Sequence, residues 1–118
     1  RAYPLGACGL LVGEWLGSVV ERFAATPNAA ASSRVYEVDG RDFMAVERDA
    51  DDAGLAIIGV AHSHTHTDPV PSPTDIEAAP DPGWHYPIVS LRLGDPVLRS
   101  WRIEHGRVTE EPVVVVEG

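Results

Sequence analysis

A short apolar run that leads directly into a histidine cluster is the feature that most restricts how this chain can fold. Residues 55–61 read LAIIGVA, a segment with the length and composition typical of a buried strand. His62 follows at once, where the predicted strand leaves the core. His64 is two residues further on, and alternate residues of an extended chain point to the same side. The two imidazoles are therefore expected side by side at the end of a central strand.

A helix start follows the histidines. Ser72 is a favourable N-cap residue, Pro73 suits the first helical position, and Asp75 falls in the first turn, where the helix dipole favours a carboxylate. Two imidazoles from a strand end and one carboxylate from a helix start can converge on one cation. Two histidines and a carboxylate, with the fourth position left to water, form a ligand set used by catalytic zinc. The sequence therefore predicts a zinc site made by His62, His64 and Asp75.

Simpler explanations exist for each of these residues. The histidines could belong to a solvated loop or to an adventitious metal-binding tract, the carboxylate could only complement the helix dipole, and the serine could only be a cap. The joint pattern favours the metal site over these alternatives. The alternative register, His64 with His66, fails because it puts Thr74 and Glu77 where the serine and the aspartate are needed.

The spacing resembles a known family signature. His62 and His64 are separated by one residue, Ser72 comes eight residues after His64, and Asp75 comes three after Ser72. This resembles the His-x-His and Ser-x-x-Asp pattern of the JAMM (MPN-plus) zinc metallopeptidases, although Thr65 stands where many members have proline. The resemblance implies Zn²⁺ as cofactor, Ser72 as the residue that stabilises the oxyanion, and an α/β (α+β) fold with a curved mixed sheet flanked by helices.

Further stretches look most like the bacterial Mec-type branch, namely residues 85–90, 99–103 and 108–112. Those enzymes hydrolyse the adduct between a ubiquitin-like sulfur-carrier protein and cysteine, cutting after the Gly-Gly end of the carrier and releasing cysteine for cysteine biosynthesis. The resemblance thus implies a carrier protein with a Gly-Gly tail as the partner.

One residue departs from the family pattern. The family places a general-base glutamate ahead of the first strand, in the pattern Glu-x-Cys-Gly. Here that stretch reads Gly6-Ala7-Cys8-Gly9, so Gly6 occupies the glutamate position and offers no side chain. The alternative to an active peptidase is therefore a catalytically impaired or non-catalytic MPN binding module that holds a carrier tail or a partner protein.

Structural or surface positions are expected for the remaining residues that could take part in catalysis or binding. Cys8 lies in an apolar strand and is expected to pack in the core rather than act as a nucleophile. His66 could contact substrate or carry a proton, but an exposed loop position is the preferred interpretation. Exposed charges on a hairpin are expected for Glu14 and Glu21, core or rim positions for Trp84 and Trp101, and surface positions for His85 and His105.

Composition limits the possible functions. The chain has 118 residues, 44% of them hydrophobic, enough for one domain with one core. The resemblance implies that residues 1–118 form a single JAMM/MPN-like domain. Cys8 is the only cysteine, so an internal disulfide is impossible and a cytoplasmic protein is expected. A net charge of −9 disfavours nucleic-acid binding, and no apolar run reaches membrane-spanning length. The first residue is Arg1, and most of the family's N-terminal helix is expected to be missing ahead of it.

Apolar periodicity and turn residues predict the order β-β-β-α-β-α-β-β-β. The last three strands are expected to form antiparallel hairpins, because Gly94-Asp95-Pro96 and His105-Gly106 separate them. The predicted strands span residues 7–12, 18–25, 34–38, 55–61, 86–93, 97–104 and 108–116, and the predicted helices span residues 41–53 and 72–79.

Overall fold

The computed structural model describes residues 7–30 and 36–116, and within them the chain forms one mixed sheet with two helices. The sheet order is β2-β1-β3-β4-β5-β6; β3 and β4 are parallel and every other pair is antiparallel. This confirms the α+β class and the two C-terminal hairpins. The elements are β1 (Cys8–Gly13), β2 (Arg22–Thr26), α1 (Gly40–Asp52), β3 (Ala56–His64), α2 (Pro73–Ala78), β4 (Tyr86–Ser90), β5 (Val97–Glu104) and β6 (Arg107–Glu111).

The core lies mainly on one face of the central strands. Every residue of β1 is buried, and β3 is buried from Ile57 to Val60, as expected for strands with a neighbour on each side. Helix α1 covers this face through an apolar stripe at helical spacing, made by Phe43, Val46 and Ala50. The other buried members of this core are Leu10, Val12, Ile57, Val60, Trp84, Tyr86, Ile88, Trp101 and Ile103.

Helix α1 has ends that local chemistry explains. Asp39 is the N-cap, and its side chain accepts a hydrogen bond from the backbone N–H of Arg41. The last turn is followed by Gly54 at a φ of 73°, a left-handed conformation that glycine adopts without steric cost. The predicted span, residues 41–53, is therefore shifted by one residue only.

The prediction of a third strand over residues 34–38 is wrong for its described part. Residues 36–38 are irregular, and residues 34 and 35 lie outside the described chain. The backbone hydrogen bonds of Glu37 go to the turn before it: its N–H donates to Asn28 Oδ1 and its carbonyl accepts from Ala29 N–H. Tyr36 and Val38 pack against the core, so the alternation in this stretch reflects side-chain packing rather than a strand ladder.

Several strand ends also differ from the predicted ones. Strand β2 begins at Arg22 rather than at residue 18, because residues 14–21 form the connection from β1. Strand β6 ends at Glu111, directly before Pro112, which has no N–H to donate to a ladder. Strand β4 ends at Ser90 rather than at residue 93.

The extension of β3 matters most for the site. It runs to His64, three residues past the predicted end, because the parallel neighbour β4 pairs with it there. The register joins His62 to Ile88 and His64 to Ser90. Both histidines are consequently held by the sheet rather than by a loop. In the described chain, neither helix has both the length and the apolar character needed to cross a bilayer.

Candidate metal centre

The predicted ligands His62, His64 and Asp75 come together in one buried cluster. The two Nε2 atoms are 3.1 Å apart, and Asp75 Oδ2 lies 3.1 Å from the first and 3.3 Å from the second. Ligand atoms about 2.0–2.1 Å from a tetrahedral zinc are separated by roughly 3.3 Å. The three side chains therefore fit one zinc ion without rearrangement of the backbone.

Helix α2 fixes the carboxylate. Ser72 is the N-cap, and its Oγ accepts a hydrogen bond from Asp75 N–H at 3.1 Å. In return the backbone N–H of Ser72 donates to Asp75 Oδ2 at 2.9 Å, which completes a capping box. Pro73 occupies the first turn, as predicted. A purely local motif thus aims one carboxylate oxygen at the two imidazoles.

The His64 ring is oriented by the loop that follows it. Its Nδ1 lies 2.8 Å from the carbonyl oxygen of Asp68 and 2.9 Å from Thr67 Oγ1. A carbonyl oxygen only accepts, so Nδ1 carries the proton and donates it. The neutral ring then has its lone pair on Nε2, the atom that faces His62 and Asp75, which is the tautomer that a metal ligand needs.

The His62 ring is oriented by stacking. Tyr36 packs against it with ring centroids 4.2 Å apart and an interplanar angle of 18°. His62 Nδ1 is buried and has no hydrogen-bond partner among the described residues. Burial, reinforced by the negative charge of Asp75, raises the pKa of the Tyr36 phenol far above its ordinary value, so this ring stays neutral. The tyrosine therefore acts on the site through its aromatic face.

The cluster favours an ionised aspartate. Burial opposes ionisation of Asp75, but hydrogen bonds from both imidazoles and from the Ser72 N–H outweigh it and hold the pKa well below its usual range. Burial alone would lower the pKa of His64. Its hydrogen bonds to Asp75 and to the Asp68 carbonyl outweigh that effect, so the pKa is raised. Asp75 thus carries the negative charge that a divalent cation requires.

Of the two proposed catalytic positions, only Ser72 lies within the described chain. Ser72 lies at the start of α2, half-buried, with Oγ accepting from Asp75 N–H and its own proton left to donate. Gly6 lies outside the described residues. Its neighbour Ala7 is joined by two hydrogen bonds to Ser63, the residue between the two histidines. Glu14 and Glu21 are exposed and follow β1 at the end away from Cys8.

The other predicted positions are mostly as expected. Cys8, Trp84 and Trp101 are buried, while His66 and His105 are exposed. The prediction that His85 lies on the surface is wrong. Its side chain is largely buried, and its ring nitrogens hydrogen-bond to the Glu111 carboxylate at 2.8 Å and to the Gly17 carbonyl at 2.9 Å. These two partners are 26 and 68 residues away along the chain, so no local pattern pointed to them.

Two residues that orient the imidazoles were missed by the sequence reasoning. The alternation of residues 34–38 predicts a strand position for Tyr36, and neither the ligand spacing nor the family signature includes Asp68. The available signal for Asp68 was its place in a turn-forming Thr-Asp-Pro stretch directly after the histidines. Tyr36 is 26 residues from the ring on which it stacks, and the sequence alone gives no such signal.

Comparison with known proteins decides the family. The model of the prokaryotic homologues of the JAB domain matches residues 1–104. The chain belongs to this prokaryotic JAB-domain family. Membership confirms the resemblance that the His-x-His and Ser-x-x-Asp spacing indicated.

Individual similar proteins agree with this family assignment. The chain is 42% identical over 120 residues to the CysO-cysteine peptidase of Mycobacterium tuberculosis (strain ATCC 25618 / H37Rv), covering 99% of this chain and 81% of the relative. It is 39% identical over 88 residues to the desampylase of Haloferax volcanii, covering 74% of this chain and 63% of that protein. Among solved structures, protein DSY2949 from Desulfitobacterium hafniense superimposes with a TM-score of 0.85 at 34% identity, over 99% of this chain and 82% of that one.

Proposed function

We propose that the chain is a zinc-dependent JAB-family hydrolase that cleaves the bond after the Gly-Gly end of a ubiquitin-like sulfur-carrier protein and releases cysteine. The convergence of the His62, His64 and Asp75 ligand atoms within 3.3 Å of one another carries the metal part of this proposal. The substrate part is supported by the similarity to a CysO-cysteine peptidase and to a desampylase.

The residues of the chain would divide the work of hydrolysis. His62, His64 and Asp75 would hold the zinc, which supplies, when bound, an activated water and a Lewis acid for the scissile carbonyl. Ser72 would donate its hydroxyl proton in a hydrogen bond to the developing oxyanion, because its Oγ is already oriented by Asp75 N–H. A carboxylate at position 6, where the family has glutamate, would take the water proton and pass it to the leaving amine.

The Gly-Gly tail fits the sheet topology. Strand β2 has only β1 as a neighbour in the described sheet, so an extended tail could pair with its open edge. At one end of this edge Thr26 pairs with Cys8, which in turn pairs with His62. A tail added along β2 would thus approach the metal centre, where a narrow entry would admit only glycine.

The zinc ligands are tested by counting bound metal. We expect one zinc per chain, loss of stoichiometric binding in His62→Ala, and nearly intact binding in the control His66→Ala, since His66 is exposed and outside the cluster. Equal losses in both variants would indicate a nonspecific histidine tract and contradict the assignment.

Substrate and chemistry are tested with a purified carrier–cysteine adduct. The chain as it stands is expected to bind the adduct and turn it over slowly, because loss of a general base costs about 10²–10⁴-fold. Gly6→Glu should raise the rate by a factor in that range with unchanged zinc content. Replacing both tail glycines by alanine should sharply weaken binding; unchanged affinity would refute the tail assignment.

The second candidate function is a non-catalytic module that binds a carrier tail or partner protein. Gly6, in the place of the family's glutamate, is the observation that favours it. A folded, zinc-loaded Gly6→Glu protein that binds the adduct without hydrolysing it would favour this function over the first.

A further inference from the structure

Three consecutive carbonyl groups in the loop between β3 and α2 each accept a hydrogen bond from a side chain of the sheet. The middle bond is the one that orients His64. The two outer bonds come from neighbouring strands, β4 and β5. In chain order the bonds are Ser90 Oγ to Thr67 O at 2.5 Å, His64 Nδ1 to Asp68 O at 2.8 Å, and Trp101 Nε1 to Pro69 O at 2.8 Å.

The two outer donors are well placed to hold the loop. Ser90 and Trp101 are 4% and 7% exposed, so their bonds compete little with water and breaking one leaves a buried polar group unpaired. Arg92 also reaches the loop, at Asp68 Oδ1, but both side chains of that pair are about half exposed and such surface pairs contribute little. Among the side chains that reach the loop, the two buried ones therefore hold it most firmly, in addition to the local bond from Val70 N–H to the Asp68 carbonyl at 2.8 Å.

We propose that Trp101 and Ser90 are positioning residues for the metal centre. By fixing the carbonyls on either side of Asp68, they hold the Asp68 carbonyl against His64 Nδ1. This contact keeps a proton on Nδ1, so that Nε2, beside Asp75, is the nitrogen left to bind a metal. The inference rests on the proposed zinc site but not on the identity of the substrate.

The chain offers a matched control for each of the two residues. Trp84 is buried in the same core as Trp101, and none of its hydrogen bonds in the described chain reaches this loop. Ser100 is a buried serine like Ser90, but its Oγ donates to Glu111 on β6. Trp101→Phe and Trp84→Phe remove the same atoms from one core, and Ser90→Ala and Ser100→Ala remove the same hydroxyl.

The first measurement is zinc affinity, by competition with a chromophoric chelator and without substrate. Loss of a hydrogen-bond partner around a metal ligand typically costs about 10–100-fold in affinity. For Trp101→Phe and Ser90→Ala we expect the lower end, about 10-fold, because each acts through the loop on His64 rather than on the metal. The controls Trp84→Phe and Ser100→Ala should bind zinc like the unmodified chain even where they unfold more easily.

The second measurement is the tautomer of His64, by ¹⁵N NMR of the labelled imidazoles in the metal-free protein, with all variants compared at one pH. The Nδ1–H form should dominate in the unmodified chain and in both controls. A mixture with the Nε2–H form is expected in Trp101→Phe and Ser90→Ala, and a merely structural role would not produce it. This readout works whether or not zinc binds.

Each outcome has a definite meaning. Unchanged zinc affinity and tautomer in folded Trp101→Phe and Ser90→Ala would overturn the positioning role, and so would equal losses in the controls. If either variant fails to fold, the other decides. A chain that keeps Trp101 and Ser90, carries Gly6→Glu and binds zinc, yet does not hydrolyse the adduct, would instead contradict the proposed function and leave the positioning role intact.

Discussion

Replacing Ser72 separates two roles that this side chain is expected to combine. Its Oγ accepts from Asp75 N–H as the cap of α2, and its O–H is the proposed donor to the oxyanion. Ser72→Ala removes both roles. Ser72→Gly also removes the hydroxyl, but glycine is tolerated at an N-cap far better than alanine. Comparing the two variants therefore distinguishes a structural from a catalytic contribution.

The expected effects of the two Ser72 variants on stability, zinc affinity and kcat differ in size. Loss of the cap in Ser72→Ala should lower the free energy of unfolding by about 1 kcal/mol, and Ser72→Gly by only a few tenths. Zinc affinity should change less than about tenfold in both, because the contact that orients Asp75 Oδ2 comes from the backbone N–H of residue 72, which both variants keep. Removal of an oxyanion donor costs about 10²–10³-fold in kcat, so both variants should lose that much activity.

Three assays give the result: urea unfolding, zinc competition, and turnover of the carrier–cysteine adduct in a chain that also carries Gly6→Glu. We expect equal losses of kcat in Ser72→Ala and Ser72→Gly despite their different stabilities. If kcat falls less than about threefold in both, Ser72 is a cap only. If kcat is instead lower in Ser72→Ala than in Ser72→Gly, in step with their stabilities, the loss of activity results from the weakened fold.

Three further predictions concern the pH dependence of stability, the packing of β3 and the ring that stacks on His62. In the metal-free chain, the lowered pKa of Asp75 contributes stability that is complete above its unfolded pKa of 3.8 and is lost as the pH falls through the folded pKa. The raised pKa of His64 contributes stability that is complete below its unfolded pKa of 6.5 and is lost as the pH rises through the folded pKa. Urea unfolding in the presence of chelator should therefore show the contribution of this pair at its largest between these two pH values. Zinc should move the pH of highest stability upward because it needs deprotonated ligands. A contribution that grows steadily above pH 6.5 without metal would contradict the pairing. Gly59→Ala should lower the free energy of unfolding by about 1–3 kcal/mol or more in thermal or urea melts, since the added Cβ would meet the backbone carbonyl of His85, which cannot rotate away. Tyr36→Phe should keep zinc affinity because the stacked ring remains, whereas Tyr36→Leu should weaken it; equal affinities of the two variants would show that stacking does not orient the imidazole.

Long-range contacts decided what the sequence reasoning missed. The alternation of residues 34–38 predicted a strand, yet the described part of that stretch hydrogen-bonds back to the turn at Asn28 and Ala29. The sequence predicts a surface position for His85 because this residue matches no ligand spacing, but its partners come from β6 and from the β1–β2 connection. In both cases the deciding contact lies beyond the few residues that local propensity describes.

The sequence by itself determined the candidate ligand set. The spacing of His62 and His64 puts both rings on one side of any strand, and the capping box needs only Ser72 and Asp75 at the N-cap and N3 positions of one helix, so both features depend on local backbone geometry. Tertiary structure decided how these groups are held. The parallel pairing with β4 keeps the histidines in the sheet, and the bond from Trp101 to Pro69 spans 32 residues. Such contacts exist only after the strands have assembled, because they join segments that have no local tendency to meet.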